Sequence, residues 1–124
     1  MSDVTKKTNY GYDLTWTKTD CYYSKILVFE NPGDKTPMLF HKERIKSWFV
    51  NNGMFRLRWI DTKDGKLYEK EMKQGHVHHI PELTPHSLEC LSAGSAMAET
   101  GNNDNPSDIY KLIPANNIGN QDES

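Results

Sequence analysis

Hydrophobic and polar positions alternate in several short runs of the chain, and this alternation predicts β-strands. The clearest run is Met54–Asp61 (MFRLRWID), in which phenylalanine, leucine and tryptophan share one face and two arginines share the other. The run Lys66–Lys73 alternates again and follows Asp64-Gly65, a dipeptide that is typical of hairpin turns. These two runs therefore predict a β-hairpin with one buried face.

Seven further runs have strand character and are separated by turn residues. They are Tyr23–Glu30, Pro37–Glu43, Ser47–Val50, His76–Pro81, His86–Ser92, Ser95–Thr100 and Asp108–Ile113. Strands recur about every eight to twelve residues, and no segment has a long helical period with caps. The pattern predicts an all-β sandwich or barrel in a single domain.

Length and composition narrow this picture. The 124 residues suffice for one domain, and the polar ends, 1–9 and 115–124, predict poorly ordered tails around a folded region of 10–114. A net charge of -2 with interspersed signs argues against a nucleic-acid partner, and no apolar run approaches the roughly 20 residues that span a bilayer. With two cysteines, Cys21 and Cys90, and no secretory signal, we expect a cytoplasmic protein with reduced thiols.

Two stretches of the chain resemble the two sequence motifs of the cupin superfamily. In GHVHHIPELTPHSLE, the spacing of Gly75, Pro81 and His86 resembles the second motif, although Leu83 stands where the family usually has glycine. FHKERIKSWFVNNG, at 40–53, resembles the first motif, in the variant of the cupin domain of type II mannose-6-phosphate isomerases. The resemblance covers about 10–114 and implies a single-domain jelly-roll barrel (a double-stranded β-helix).

The same resemblance implies a metal site inside the barrel. In the family, three histidines and one carboxylate hold a divalent metal, and His41, Glu43 and His86 fall on the three histidine positions. Residues two apart on a strand share a face, so we expect His41 and Glu43 both to point inward. This set would suit Mn, Fe, Ni or Zn. Lys46 falls on the acidic position and has no lone pair to offer a metal. The alternative is therefore a metal-free pocket in which Lys46 pairs with Glu43.

The other histidines of the second stretch divide by strand parity. We expect His79 to point inward beside His86 and to contact a ligand. His76 and His78 share the opposite face and are expected to be solvated.

Two arginines and two motif residues complete the candidate ligand-binding set. Arg56 and Arg58 form either an exposed sheet face or an anion clamp, because guanidinium matches phosphate with bidentate geometry. Trp48 is either a core residue or a platform for a sugar ring. Lys46 would lie beside it in the pocket.

Three functions are compatible with these residues. The first is a sugar isomerase or epimerase, in which His86, Glu43 and His41 supply acid–base chemistry. The second is a non-catalytic cupin that binds a small molecule, such as a sugar phosphate, without a metal. The third is a metal-dependent dioxygenase. The family resemblance also implies a homodimer that forms through edge strands.

Overall fold

The computed structural model describes residues 5–113, and this range is built from β-strands. The strands are β1 (Thr5–Lys7), β2 (Gly11–Lys18), β3 (Tyr23–Phe29), β4 (Met38–Phe40), β5 (Lys46–Asn52), β6 (Met54–Asp61), β7 (Lys66–Lys73), β8 (Val77–Ile80), β9 (His86–Cys90), β10 (Ser95–Gly101) and β11 (Tyr110–Ile113). The all-β prediction is confirmed. In the described range no helix is long and apolar enough to cross a membrane.

The strands form two antiparallel sheets that face each other. One sheet has six strands in the order β1-β2-β3-β10-β5-β8, and the other has five in the order β11-β4-β9-β6-β7. Their inner faces supply one core, whose buried members include Leu27, Phe29, Val50, Phe55, Leu57, Met72, Leu88 and Met97. The rings of Phe29 and Phe55 meet edge to face across the two sheets, with centroids 5.1 Å apart. This arrangement is the jelly-roll barrel that the sequence predicted.

The β6–β7 hairpin follows its sequence pattern closely. The two strands pair in unbroken register from Met54 opposite Lys73 to Asp61 opposite Lys66. Gly65 closes the turn with φ of 70°, a left-handed conformation that glycine adopts without steric penalty. Phenylalanine and leucine of β6 are fully buried, so the predicted inner face is confirmed.

The turn between β5 and β6 carries the chain from one sheet to the other. Gly53 has φ of 88°, and a Cβ atom at this position would collide with the Ser95 hydroxyl. A glycine is therefore required here both by the backbone angle and by space. The turn brings the two sequential strands to opposite walls of the barrel.

The N-terminal boundary of the fold differs from the prediction. Thr5–Lys7 was expected to belong to a tail, but it pairs with β2, with Thr5 opposite Leu14. A short edge strand gains backbone hydrogen bonds without needing apolar side chains, so composition did not reveal it. The predicted C-terminal tail, 115–124, lies outside the described residues.

The loop between β8 and β9 contains a residue in an unusual conformation. Leu83 has φ of 62°, in the left-handed region that favours glycine. Its amide donates a hydrogen bond to the carbonyl of His41 (2.7 Å), which fixes this loop against the end of β4. The loop conformation that suits a glycine is thus kept although the residue is leucine.

Candidate ligand-binding site in the barrel

A cavity of about 680 Å³ opens between the inner faces of the two sheets. The buried residues with polar side-chain groups that line it include His41, Lys46, Trp48, His86 and Glu99. We call these five the cavity cluster. Each is 9% exposed or less, so burial and their mutual contacts together set their charge states.

His41 follows the last residue of β4 and is held as a neutral imidazole. Its Nδ1 donates a hydrogen bond to the carbonyl of Asp108 (2.7 Å), and its Nε2 accepts one from Nζ of Lys46 (3.2 Å). Burial, followed by the charge of Lys46, lowers the pKa of His41 to about 4. The partners on both sides of the ring therefore fix one tautomer.

His86 opens β9 and presents a free lone pair. Its Nδ1 donates to the carbonyl of Thr84 (2.7 Å), which leaves Nε2 as an acceptor. That Nε2 is buried and has no hydrogen-bond partner among the described residues. The ring lies 5.6 Å from the rings of both His41 and Trp48. Burial and the charge of Lys46 lower its pKa well below the usual value, so the lone pair is not blocked by a proton.

Lys46 and Glu99 form a buried ion pair at the centre of the cluster, with Nζ and Oε1 3.8 Å apart. Burial lowers the pKa of Lys46 to about 8, although Glu99 acts in the opposite direction. Burial alone would raise the pKa of Glu99, but Lys46, Lys25 and hydrogen bonds from Trp48 (2.8 Å) and Tyr23 (2.5 Å) together lower it to about 2. Lys46 is thus mostly a cation, and Glu99 an anion, at neutral pH.

The predicted metal-ligand set does not assemble. The lone pair of His41 Nε2 already accepts from the ammonium of Lys46, and Glu43 is exposed. Among residues 5–113, no group of three or more histidine, cysteine, aspartate or glutamate side chains could hold a metal ion. The predicted Lys46–Glu43 pair is also wrong, because Lys46 pairs with Glu99. The residues present therefore do not fit a metal ion, and Lys46 itself supplies the positive charge of the cluster.

Glu43 is displaced because β4 ends at Phe40, three residues earlier than predicted. The following turn wraps around the carboxylate of Asp108, which accepts hydrogen bonds from the amides of Lys42, Glu43 and Arg44 (2.7–3.0 Å). Strand parity holds only within a strand, so it does not place Glu43 beside His41. The Glu43 side chain lies on the outside of the molecule.

His79 is also on the outside, and the prediction that it points inward is wrong. It lies opposite Ser47 on β5, and its Nδ1 contacts the Ser47 hydroxyl (2.7 Å). Its neighbour His78 lies opposite Trp48, is half-buried and packs on Trp59 with ring centroids 5.0 Å apart. Opposed residues of paired strands share a face, so the pairing with β5 decides which histidine turns inward.

Arg56 and Arg58 lie on the outer face of the five-stranded sheet, and neither lines the cavity. Both contact the same two carboxylates, Glu69 and Glu89, at 3.1–3.7 Å. We call these four residues the outer ion-pair cluster. Of the two alternatives for the arginines, the structure supports the exposed sheet face and not the anion clamp, because their guanidinium groups are already paired.

Sequence reasoning missed Glu99, the anion of the cavity cluster. A signal existed, because Glu99 lies two residues after Met97 on the β10 run and therefore shares its inward face. It also missed Arg44, which is 4% exposed, lies over the ring of Tyr23 (5.4 Å) and approaches Asp104 (3.7 Å). No pattern in the turn after β4 indicates that this arginine is buried.

Comparison with known proteins identifies the fold. No family model and no curated protein matches the sequence. Among solved structures, oxalate decarboxylase from Bacillus subtilis at pH 4.6 has a TM-score of 0.78 and 16% identity, over 96% of this chain and 37% of that one. The capsular polysaccharide assembling protein CapF from Staphylococcus aureus has a TM-score of 0.75 and 20% identity, over 88% of this chain and 32% of that one. A third, described by the Mn(II) centres of the Bacillus subtilis oxalate decarboxylase, has a TM-score of 0.73 and 14% identity, over 94% and 36%.

These similarities establish the cupin fold for this chain. The chain spans about a third of the length of the solved structures that it matches. Because identities are 20% or lower, the likeness concerns the fold and carries no activity with it. The finer resemblance to type II mannose-6-phosphate isomerases stays a prediction.

Proposed function

We propose that this protein binds a small hydroxylated carbonyl compound, of the sugar or sugar-phosphate class, in the barrel cavity. We further propose that it moves a proton on this ligand without a metal ion, as an isomerase or epimerase does. The observation that carries the proposal is the buried, unpartnered Nε2 of His86. An unsatisfied buried acceptor costs about 1–3 kcal/mol, and a ligand hydroxyl would satisfy it.

The charge states in the cavity cluster suit proton transfer next to a carbonyl group. His86 is neutral, lines the cavity and keeps a lone pair on Nε2, so it can act as a general base. Lys46 supplies a nearby positive charge, which would stabilise the oxyanion that forms when the proton leaves. His41 accepts a hydrogen bond from Lys46, and its ring lies 5.6 Å from that of His86. A base and an electrophile within one cavity are what enolisation requires.

The lining of the cavity favours an anionic ligand. Within the described part of the chain, six basic residues and two acidic residues line the cavity: Lys6, Lys7, Lys25, Arg44, Lys46 and Lys111 against Asp13 and Glu99. An excess of positive charge around a low-dielectric pocket attracts anions such as phosphate. The volume of about 680 Å³ also lies within the range of about 300–1,000 Å³ that is common for small-molecule sites.

Two alternative functions are a metal-dependent enzyme and a non-catalytic cupin that binds a small molecule. Of the matching proteins, one is a capsular polysaccharide assembling protein and another is described by Mn(II) centres. The metal-dependent alternative, including a dioxygenase, is disfavoured by a donor set in which Lys46 takes the place of a ligand. The alternative of a non-catalytic cupin uses the same cavity and is separated from the proposal by experiment.

The test measures binding and proton exchange separately. Binding of fructose 6-phosphate and dihydroxyacetone phosphate is measured by calorimetry, and exchange of the proton next to the carbonyl is measured by NMR in D₂O. The variant His86→Asn keeps a donor for the Thr84 carbonyl but removes the Nε2 lone pair. The matched control is His76→Asn, a substitution at an exposed histidine that does not line the cavity.

We expect binding and exchange by the wild type and by His76→Asn. We expect exchange by His86→Asn to fall by about 10²-fold or more, the contribution typical of a positioned base. Binding without exchange would favour the non-catalytic alternative. No binding of either compound by the wild type would refute the proposal.

The predicted homodimer stays a prediction, and the free strand edges bear on it. The outer edge of β7 carries alternating lysine and glutamate and is almost wholly exposed. Such charged edges oppose edge-to-edge pairing. If the dimer forms through edge strands, the other edges of the two sheets, β1, β8 and β11, are therefore better candidates. Sedimentation velocity at several protein concentrations measures the oligomeric state directly.

A further inference from the structure

We propose that Lys46 forms a reversible covalent imine with the carbonyl carbon of the ligand in the barrel cavity. This inference rests on the proposed function, because it takes a carbonyl compound as the ligand. It assigns Lys46 a nucleophilic role in addition to its electrostatic one. The class of ligand is an aldehyde or ketone, such as the open-chain form of a sugar phosphate.

The first support is that the ammonium group of Lys46 has few hydrogen-bond partners. An ammonium group has three N–H donors. The described residues give Lys46 one hydrogen bond, to His41 (3.2 Å), one longer ion pair, to Glu99 (3.8 Å), and a position over the ring of Trp48 (5.2 Å) that uses no N–H donor. Lys46 is nevertheless 9% exposed and lines the cavity. Its Nζ therefore has donor capacity left for a group that enters the cavity.

A second support is the proton acceptor beside it. A lysine attacks a carbonyl only as the neutral amine, so a proton must leave Nζ first. The Nδ1–H of His41 is held by the carbonyl of Asp108 (2.7 Å), which leaves the Nε2 lone pair directed at Lys46. This tautomer makes His41 the acceptor for that proton. Buried lysines with such neighbours are the ones that proteins use for imine chemistry.

The atoms of the step balance. His41 takes one proton from Nζ, the nitrogen lone pair forms the C–N bond, and the carbonyl π electrons move to oxygen. The oxygen takes up two protons, the one on His41 and a second one from Nζ. The nitrogen lone pair then forms the C=N bond as the C–O bond breaks and water leaves. The product is a protonated imine, so an ammonium and a carbonyl give an iminium and water, with no oxidant or reductant. His86 Nε2 lies free to take a proton from the adjacent carbon, which the iminium acidifies.

The experiment traps the imine in the full-length protein. Glycolaldehyde phosphate is added with sodium cyanoborohydride, whose hydride reduces an iminium to a stable secondary amine. Peptide mass spectrometry then locates and counts the modified lysines. Lys46→Arg keeps a cation in the cavity but removes the nucleophilic amine. The matched control is Lys70→Arg, a substitution at an exposed lysine of β7.

We expect Lys46 to be labelled about tenfold faster than exposed lysines, because a buried amine loses its proton more readily. Labelling at this rate should persist in Lys70→Arg and disappear in Lys46→Arg. Uniform labelling of surface lysines, or no adduct on Lys46, would overturn the inference.

Binding of the same compound without reductant is measured in parallel by calorimetry. Binding without an adduct on Lys46 overturns the imine and leaves the proposed function standing. If the wild type shows no binding and no adduct, both the imine and the proposed ligand class are refuted.

Discussion

The outer ion-pair cluster lies on the outer face of the five-stranded sheet, and the Lys46–Glu99 pair lies inside the barrel cavity. These two groups of charged residues behave differently. The outer ion-pair cluster has distances of 3.1–3.7 Å, and the buried Lys46–Glu99 pair has a distance of 3.8 Å. Distance alone would rank the outer cluster as stronger. Exposure reverses this ranking of the two clusters. The outer arginine side chains are 29% exposed, whereas those of Lys46 and Glu99 are 7% and 4% exposed.

The comparison teaches that burial decides what a charged pair does. In the outer cluster, water screens the charges, and each pair contributes about 0–1 kcal/mol. In the cavity, each charge depends on its partner, because removing one leaves the other buried and unpaired. Burial lowers the pKa values of His41 and Lys46, the charge of Lys46 lowers that of His41 further, and Glu99 opposes both shifts.

The largest expected effect comes from Glu99→Gln. This variant should lower the free energy of unfolding by about 3–5 kcal/mol, because it leaves the buried Lys46 charge without its counter-ion. Urea denaturation followed by tryptophan fluorescence measures the change.

A double variant checks the cause of that loss. In Glu99→Gln/Lys46→Met neither charge is present, so stability should recover by more than half of the loss. A double variant as unstable as the sum of the two single variants would show that the two charges do not depend on each other.

Acid should weaken the cavity cluster through its two buried histidines. The buried His41 and His86 stay neutral in the folded state, whereas the unfolded chain binds protons on them below about pH 6.5. Their folded pKa values are depressed, so the stability they contribute is present above about pH 6.5 and declines as the pH falls towards about 4. Glu99, with a pKa of about 2, contributes above about pH 4.5 and loses this contribution as the pH falls further.

Denaturation midpoints at several pH values measure this dependence. The variant His86→Asn should have a shallower slope between pH 6.5 and 4, whatever its absolute stability. An unchanged slope would mean that His86 does not titrate on unfolding.

A smaller effect is expected from Arg58→Ala in the outer cluster. It should lower the unfolding free energy by less than about 1 kcal/mol, because water screens the exposed pair. The difference from wild type should shrink further in 1 M salt, at which the Debye length is about 3 Å. A loss of stability comparable with that of Glu99→Gln would contradict the conclusion that burial decides how much a charged pair contributes.

The smallest expected effect is that of a metal chelator. Because Lys46 supplies the cation of the cavity cluster, EDTA should leave the Tm and ligand binding unchanged. Emission spectrometry after dialysis should find no stoichiometric Mn, Fe, Ni or Zn. A stoichiometric metal that is lost in His86→Asn would contradict the assignment of the cavity cation to Lys46.

Strand parity predicted the fold well. It predicted the orientation of a side chain correctly only where the residue lies within a strand whose pairing was also known. Within β6 it placed three apolar side chains on the inner face, of which phenylalanine and leucine are fully buried and tryptophan is partly buried against the core, and it placed both arginines on the other face. It failed at Glu43, because backbone donors to Asp108 end β4 early. It failed at His79 because the pairing with β5 sets the phase of β8, and no local pattern encodes that pairing.

The sequence by itself determined the all-β barrel, its hairpin and the burial of His41 and His86. The barrel and its hairpin follow from alternation and turn residues, which are local in the chain, whereas the inward positions of His41 and His86 are what the resemblance to the two cupin motifs implies. Only the tertiary structure decided that Lys46 pairs with Glu99, 53 residues away on another strand. The charge states of buried groups depend on their neighbours in space, so only the packed structure of the two sheets determines the charges in the cavity.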